Sequence, residues 1–84
     1  MLELDDFEYA VLLGIYEFSA ERGFSNRFGI NQRYILGNIG YHHSNRFEQV
    51  LETLFVEKLI FYKTRHGYRY WLPTKKGREY IECY

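Results

Sequence analysis

Eighty-four residues make one domain, 1–84, with a single modest core. Nine Tyr, seven Phe and one Trp give that core large area per residue, and a formal charge of zero excludes a uniformly basic or acidic surface. The lone Cys83 excludes an internal disulfide framework, no stretch is apolar enough to span a bilayer, and the acidic start Met1-Leu2-Glu3-Leu4-Asp5-Asp6 is wrong for a signal peptide, so the expectation is a cytoplasmic protein with no membrane partner.

A first helix is predicted over about 6–22. Asp5 is its cap, Glu8 closes a capping box, and Gly23 is the stop. Phe7, Val11, Gly14 or Ile15, and Phe18 form one apolar face at helical spacing. Tyr9, Leu12, Leu13, Tyr16 and Ala20 form a second. A helix apolar on two sides is normally buried on two sides, and so small a domain has little mass to cover both. Tyr9, Leu12, Leu13 and Tyr16 are therefore the expected homodimer interface. The alternative is that a later β-hairpin or the C-terminal helix folds over this stripe within one chain.

Residues 24–30 read as a loop or short strand. Asn31 caps a second helix to about Ile39, with Ile35, Leu36 and Ile39 inward, and Gly40 ends it. Ser44 or Asn45 caps a third helix, Asn45 forming a capping box with Glu48. Its core stripe is Phe47, Val50, Leu51, Leu54 and Phe55, and it ends near Lys58.

Two strands follow, Leu59 to Arg65 and Tyr68 to Leu72, with a turn at Gly67. A two-residue turn at His66-Gly67 places Ile60 and Leu72 on opposite faces. A three-residue turn, His66 to Tyr68, gathers Ile60, Tyr62, Tyr70 and Leu72 on one face and Lys63, Arg65 and Arg69 on the other. The second is preferred because it sorts apolar from charged. Pro73 ends the strand and Thr74 caps a short last helix, Lys75 to Glu82.

Charge divides sharply along the chain. Residues 1–21 hold six acids and no base, residues 22–84 hold eleven bases and five acids, and residues 58–78 hold seven bases and no acid. A neutral chain can thus carry one strongly positive face.

The order of elements resembles the winged-helix branch of the helix-turn-helix proteins. Ile35-Leu36-Gly37-Asn38-Ile39-Gly40 is similar to that family's second helix and glycine turn. The run from Val50 to Ile60 is similar to a recognition helix entering the wing. The run from Tyr70 to Ile81 resembles the closing strand and helix, where Leu-Thr precedes Lys-Gly-Arg; here Pro73 separates Leu72 from Thr74, and the turn before the third helix is one residue longer than usual. The resemblance implies an α+β winged helix-turn-helix: a three-helix core, a two-stranded β-hairpin wing and a short C-terminal helix. It also implies a reader of double-stranded DNA, whose third helix enters the major groove.

On that reading Asn45, Arg46, Gln49 and Thr53 lie on the outer side of the third helix, with Glu52 among them. Arg pairs with guanine, and Asn and Gln with adenine, through two hydrogen bonds to a base edge. The wing residues Lys63, Arg65, His66 and Arg69 suit phosphate. Glu48 and Glu52 argue against, since carboxylates repel phosphate. His42, His43, His66 and Cys83 match no standard zinc spacing, so no metal is expected. No nucleophile–base pair, phosphate loop or cofactor fingerprint occurs, so neither enzyme, cofactor nor small-molecule ligand is expected. The expected function is sequence-specific DNA binding by a homodimeric transcription regulator. The alternative is a winged-helix protein–protein interaction module within a larger assembly.

Overall fold

The computed structural model describes residues 3–25, 27–39 and 45–83, with the side chains of 36–39 and 45 outside that description. The element order is α1 (Asp6–Ala20), β1 (Ile30–Asn31), α2 (Gln32–Ile39), α3 (Asn45–Val56), β2 (Ile60–Arg65), β3 (Tyr68–Pro73) and α4 (Lys75–Cys83). This is an α+β architecture: four helices and a three-stranded antiparallel sheet in the order β1-β3-β2.

α1 starts where Asp5 and Glu8 cap each other. The Glu8 amide donates to the Asp5 carboxylate at 2.7 Å, and the Asp5 amide donates to the Glu8 carboxylate at 3.0 Å. Val11, Leu12, Ile15 and Ser19 are buried along it. After Ala20 the chain reverses through left-handed Gly23 and Phe24 (φ 65° and 57°), and the Phe24 amide returns to the Ser19 carbonyl at 2.8 Å. Asn31 then accepts the Arg33 amide at 2.9 Å, which caps α2 as predicted. The expected cap of α3 at Ser44, and the Asn45–Glu48 box, lie outside the described residues.

α3 buries Phe47, Val50, Leu51 and Leu54, while Phe55 is 43% exposed rather than fully in the core. The helix ends in a left-handed residue, Lys58 (φ 63°), and the Leu59 amide donates back to the Leu54 carbonyl at 2.9 Å. Thr74 then fastens this junction. Its hydroxyl donates to the Lys58 carbonyl at 2.5 Å and accepts the Gly77 amide at 3.0 Å, capping α4. A Cβ on Gly77 would meet the Leu59 carbonyl oxygen, which is why a residue without a side chain stands there.

The hairpin differs from the predicted one. Arg65 pairs with Tyr68 across a two-residue turn, His66-Gly67, both with positive φ (52° and 80°). That backbone matches the strand twist and favours tight hairpins. Tyr62 therefore faces Trp71, and Lys63 faces Tyr70. One face carries Ile60, Tyr62, Arg69 and Trp71; the other carries Phe61, Lys63, Arg65, Tyr68, Tyr70 and Leu72. Sorting apolar from charged by face was the wrong criterion, because this sheet is covered on both faces at its base. There Ile60, Trp71 and Leu72 are buried, while the tip residues 63–69 are exposed. β1 adds a third strand that a two-stranded wing did not include, pairing Ile30 with Trp71.

Candidate nucleic-acid interface

On α3, Arg46, Gln49, Glu52, Thr53 and Val56 are exposed, opposite the buried Phe47, Val50 and Leu54. Helical spacing groups Gln49, Glu52 and Val56 at the centre of that face. Sequence reasoning missed Val56, which is 66% exposed. Its spacing from Glu52 and Thr53 was the available signal. A methyl-bearing side chain here suits contact with a thymine methyl.

Arg46 is not a detached base reader. Its guanidinium donates to the Asp5 carboxylate at 2.6 Å and lies 5.3 Å from the Phe7 ring centroid. The start of α3 is thereby tied to the start of α1. The Asp5 carboxyl is held below its usual pKa, first by the Glu8 amide and then by Arg46. Both partners are about half exposed, so the pair contributes little stability and can be given up to another anion. The side chain of Asn45 lies outside the described residues.

The hairpin flanks α3 and divides its bases between two grooves. On the inner side, Tyr62 and Trp71 pack at 5.1 Å, and Phe55 of α3 packs on both at 5.4 and 6.1 Å. Trp71 belongs to this packed cluster, and its buried Nε1 meets no acceptor among the described residues. Arg69 lies over the Tyr62 ring at 4.6 Å. These residues line a groove of about 530 Å³ that also receives Gln32, Glu48 and Glu52. Arg69 therefore does not join Lys63 and Arg65; it sits on the face that carries the carboxylates.

On the outer side, Lys63, Arg65 and Tyr70 line a second groove of about 200 Å³ with Arg27, Phe28 and Gly29. Arg27 and Phe28 were not singled out from sequence, since an arginine in a loop carries no periodic signal. His66 is exposed in the turn at the hairpin tip and lines neither groove. Of the remaining bases, Lys76 donates to the Glu57 carbonyl at 2.9 Å and Arg78 stacks on Phe24 at 3.8 Å, so both act within the fold.

The expected dimer stripe needs one correction. Leu12 has 0% exposure within the single chain and belongs to its own core. Tyr9, Leu13 and Tyr16 are half-buried. Tyr9 packs on Tyr80 of α4 at 6.4 Å, and Tyr16 packs on Phe24 at 5.3 Å while its hydroxyl donates to Glu82 at 2.9 Å. That bond to a carboxylate raises the Tyr16 pKa. The C-terminal helix thus covers part of the stripe, as the alternative held.

Among the described residues no cluster of His, Cys, Asp and Glu is placed to hold a metal; His42 and His43 lie outside them. No described helix is long and apolar enough to cross a membrane.

No protein-family model matches the chain, and no curated protein matches it significantly in sequence. Among solved structures, the chain is similar in fold to SSV1 F-93, with a TM-score of 0.60 over 90% of this chain and 79% of that one. The two are 15% identical, so the likeness is one of fold.

Proposed function

We propose that this chain is a winged helix-turn-helix domain that binds double-stranded DNA sequence-specifically, as a homodimer, and regulates transcription in the cytoplasm. It does so without catalysis, cofactor or small-molecule ligand. The observation that carries this reading is the pairing of an exposed α3 face, bearing Arg46, Gln49, Thr53 and Val56, with a basic hairpin packed directly beside it. α3 would read base edges in the major groove, and the hairpin would hold backbone phosphates. A gel shift with random duplex at two salt concentrations tests it. Binding that falls steeply with salt is expected, because neutralised phosphates release counterions. Absence of binding at micromolar protein and low salt overturns the reading. Gln49→Ala should weaken a cognate site by ~1–3 kcal/mol more than random DNA. Arg46→Ala should do less, since Arg46 exchanges one anionic partner for another.

The homodimer would use what α4 leaves uncovered on α1, with Leu13 central and Tyr9 and Tyr16 at its edges. Twofold pairing would set two α3 helices about one DNA turn apart, ~34 Å. Light scattering should show a dimer for wild type and a monomer for Leu13→Glu. A wild type that is monomeric at tens of micromolar removes the dimer from the reading.

A protein-binding module is the second reading, favoured by Glu48 and Glu52 in the groove between α3 and the hairpin. The double change Glu48→Gln and Glu52→Gln separates the two. It should tighten binding to random duplex if this face meets phosphate, and should abolish capture of a basic protein surface if it meets protein.

A further inference from the structure

The two grooves beside the hairpin differ in charge in a way that reverses the simplest docking picture. The inner groove, next to α3, has Arg69 as its only cation among the lining residues, against Glu48 and Glu52. The outer groove has Arg27, Lys63 and Arg65 and no acid among the residues that line it. Arg27 and Arg65 are exposed, and no carboxylate lies within ion-pair distance of either among the described residues. Phe28, which lines this groove, is 50% exposed, and Tyr68, the cross-strand partner of Arg65 on the same sheet face, is 57% exposed.

The groove is also shaped by the fold. Gly29 brings the loop that carries Arg27 and Phe28 onto the hairpin: a Cβ there would lie 2.7 Å from the Tyr70 carbonyl carbon and 2.8 Å from its oxygen. Only a residue without a side chain lets the loop approach so closely. The guanidinium of Arg27 is thereby added to the two bases that alternate on β2. A basic groove edged with aromatics has the chemistry for a sugar–phosphate backbone, with cations for phosphate and rings for sugar or base faces.

We propose that the outer groove, built from Arg27, Phe28, Lys63, Arg65 and Tyr70, is a second DNA-backbone site, separate from the α3 face. It rests on the DNA reading above. The hairpin would then hold phosphate chiefly on the face turned away from α3, while Arg69, on the inner face, serves to balance Glu48 and Glu52. Arg27, which lies outside the hairpin altogether, becomes as important as the hairpin's own bases.

Fluorescence anisotropy of the full chain with a random-sequence duplex, over a salt series, tests this. Arg27→Ala and Arg65→Ala should each lower the slope of log affinity against log salt by about 1, the loss of one phosphate contact. Arg27→Lys should restore most of it, and Arg69→Ala should change the slope less than either. Unchanged melting temperatures verify that the variants fold, as exposed side chains allow. Wild-type binding with Arg27→Ala retaining the full slope overturns the outer site and leaves the DNA reading intact. No wild-type binding at all overturns both. Amide shifts on adding the duplex supply an independent map: changes at Gly29, Tyr68 and Tyr70 together with Gln49 support two contact faces, and changes confined to α3 and Arg69 overturn the outer one.

Discussion

The two faces of one hairpin are made from the same two strands, yet they do opposite work. Inward, Tyr62 and Trp71 stack against Phe55 of α3, and the one arginine there lies on an aromatic ring. Outward, Lys63 and Arg65 border an open groove with Arg27. Alternation along a strand is the whole cause: neighbours one residue apart point to opposite sides. A hairpin can therefore weld itself to a helix with one set of residues and leave the other set for an anion. Within this chain, basic composition from 58 to 78 is a poor guide to where phosphate would bind, because the fold sends part of it to each face.

The strongest challenge to this division is Trp71→Ala. If the inner face holds the hairpin to α3, removing a nearly fully buried indole should cost ~3–5 kcal/mol in urea unfolding. A cost under ~1 kcal/mol would mean that the hairpin is held by its turn and backbone alone. Gly29→Ala probes the outer side. Overpacking the loop against Tyr70 should cost ~1–3 kcal/mol, and the variant should lose salt-dependent DNA binding along with Arg27's position. Full retention of both would show that the loop's close approach does not shape the groove.

The far flank of α3 gives a smaller, pH-dependent effect. Asp5 titrates below its ordinary value of 3.8 in the folded chain, through the Glu8 amide first and Arg46 second. A carboxyl lowered by folding stabilises fully above its unfolded value and stops doing so as pH falls through the folded value. Melting temperatures of wild type and Asp5→Ala should thus differ near neutrality and converge in acid below about pH 3.8. Curves that stay parallel would mean that the carboxylate's charge does not matter there. The smallest effect belongs to Tyr68→Ser. Tyr68 is 57% exposed, so stability should stay within about 0.5 kcal/mol of wild type even if DNA binding drops.

What could be read without the structure was whatever depends on near neighbours in sequence. The Asp5–Glu8 box, the Asn31 and Thr74 caps, the buried run Phe47, Val50, Leu51 and Leu54, and the position of both hairpin strands all follow from local spacing. Each is decided by one turn of helix or one strand, and local propensity is enough. The three-residue turn failed because it was chosen to separate charge by face, which presumes a sheet buried on one side only. The base of this sheet is buried on both, and that is a property of what packs on it. Leu12 was assigned to a partner for a similar reason: periodicity says that a helix has two apolar sides, but not what covers them. Here Tyr80 and Glu82, far along the chain, come back over Tyr9 and Tyr16. The same holds for the candidate interface. Residue types on α3 and the hairpin were legible, because each element displays its own face. That Arg46 is bound to Asp5, that Arg69 sits with two glutamates, and that Arg27 joins Lys63 and Arg65 were decided only by tertiary packing, because each pairing joins residues that only the fold brings together.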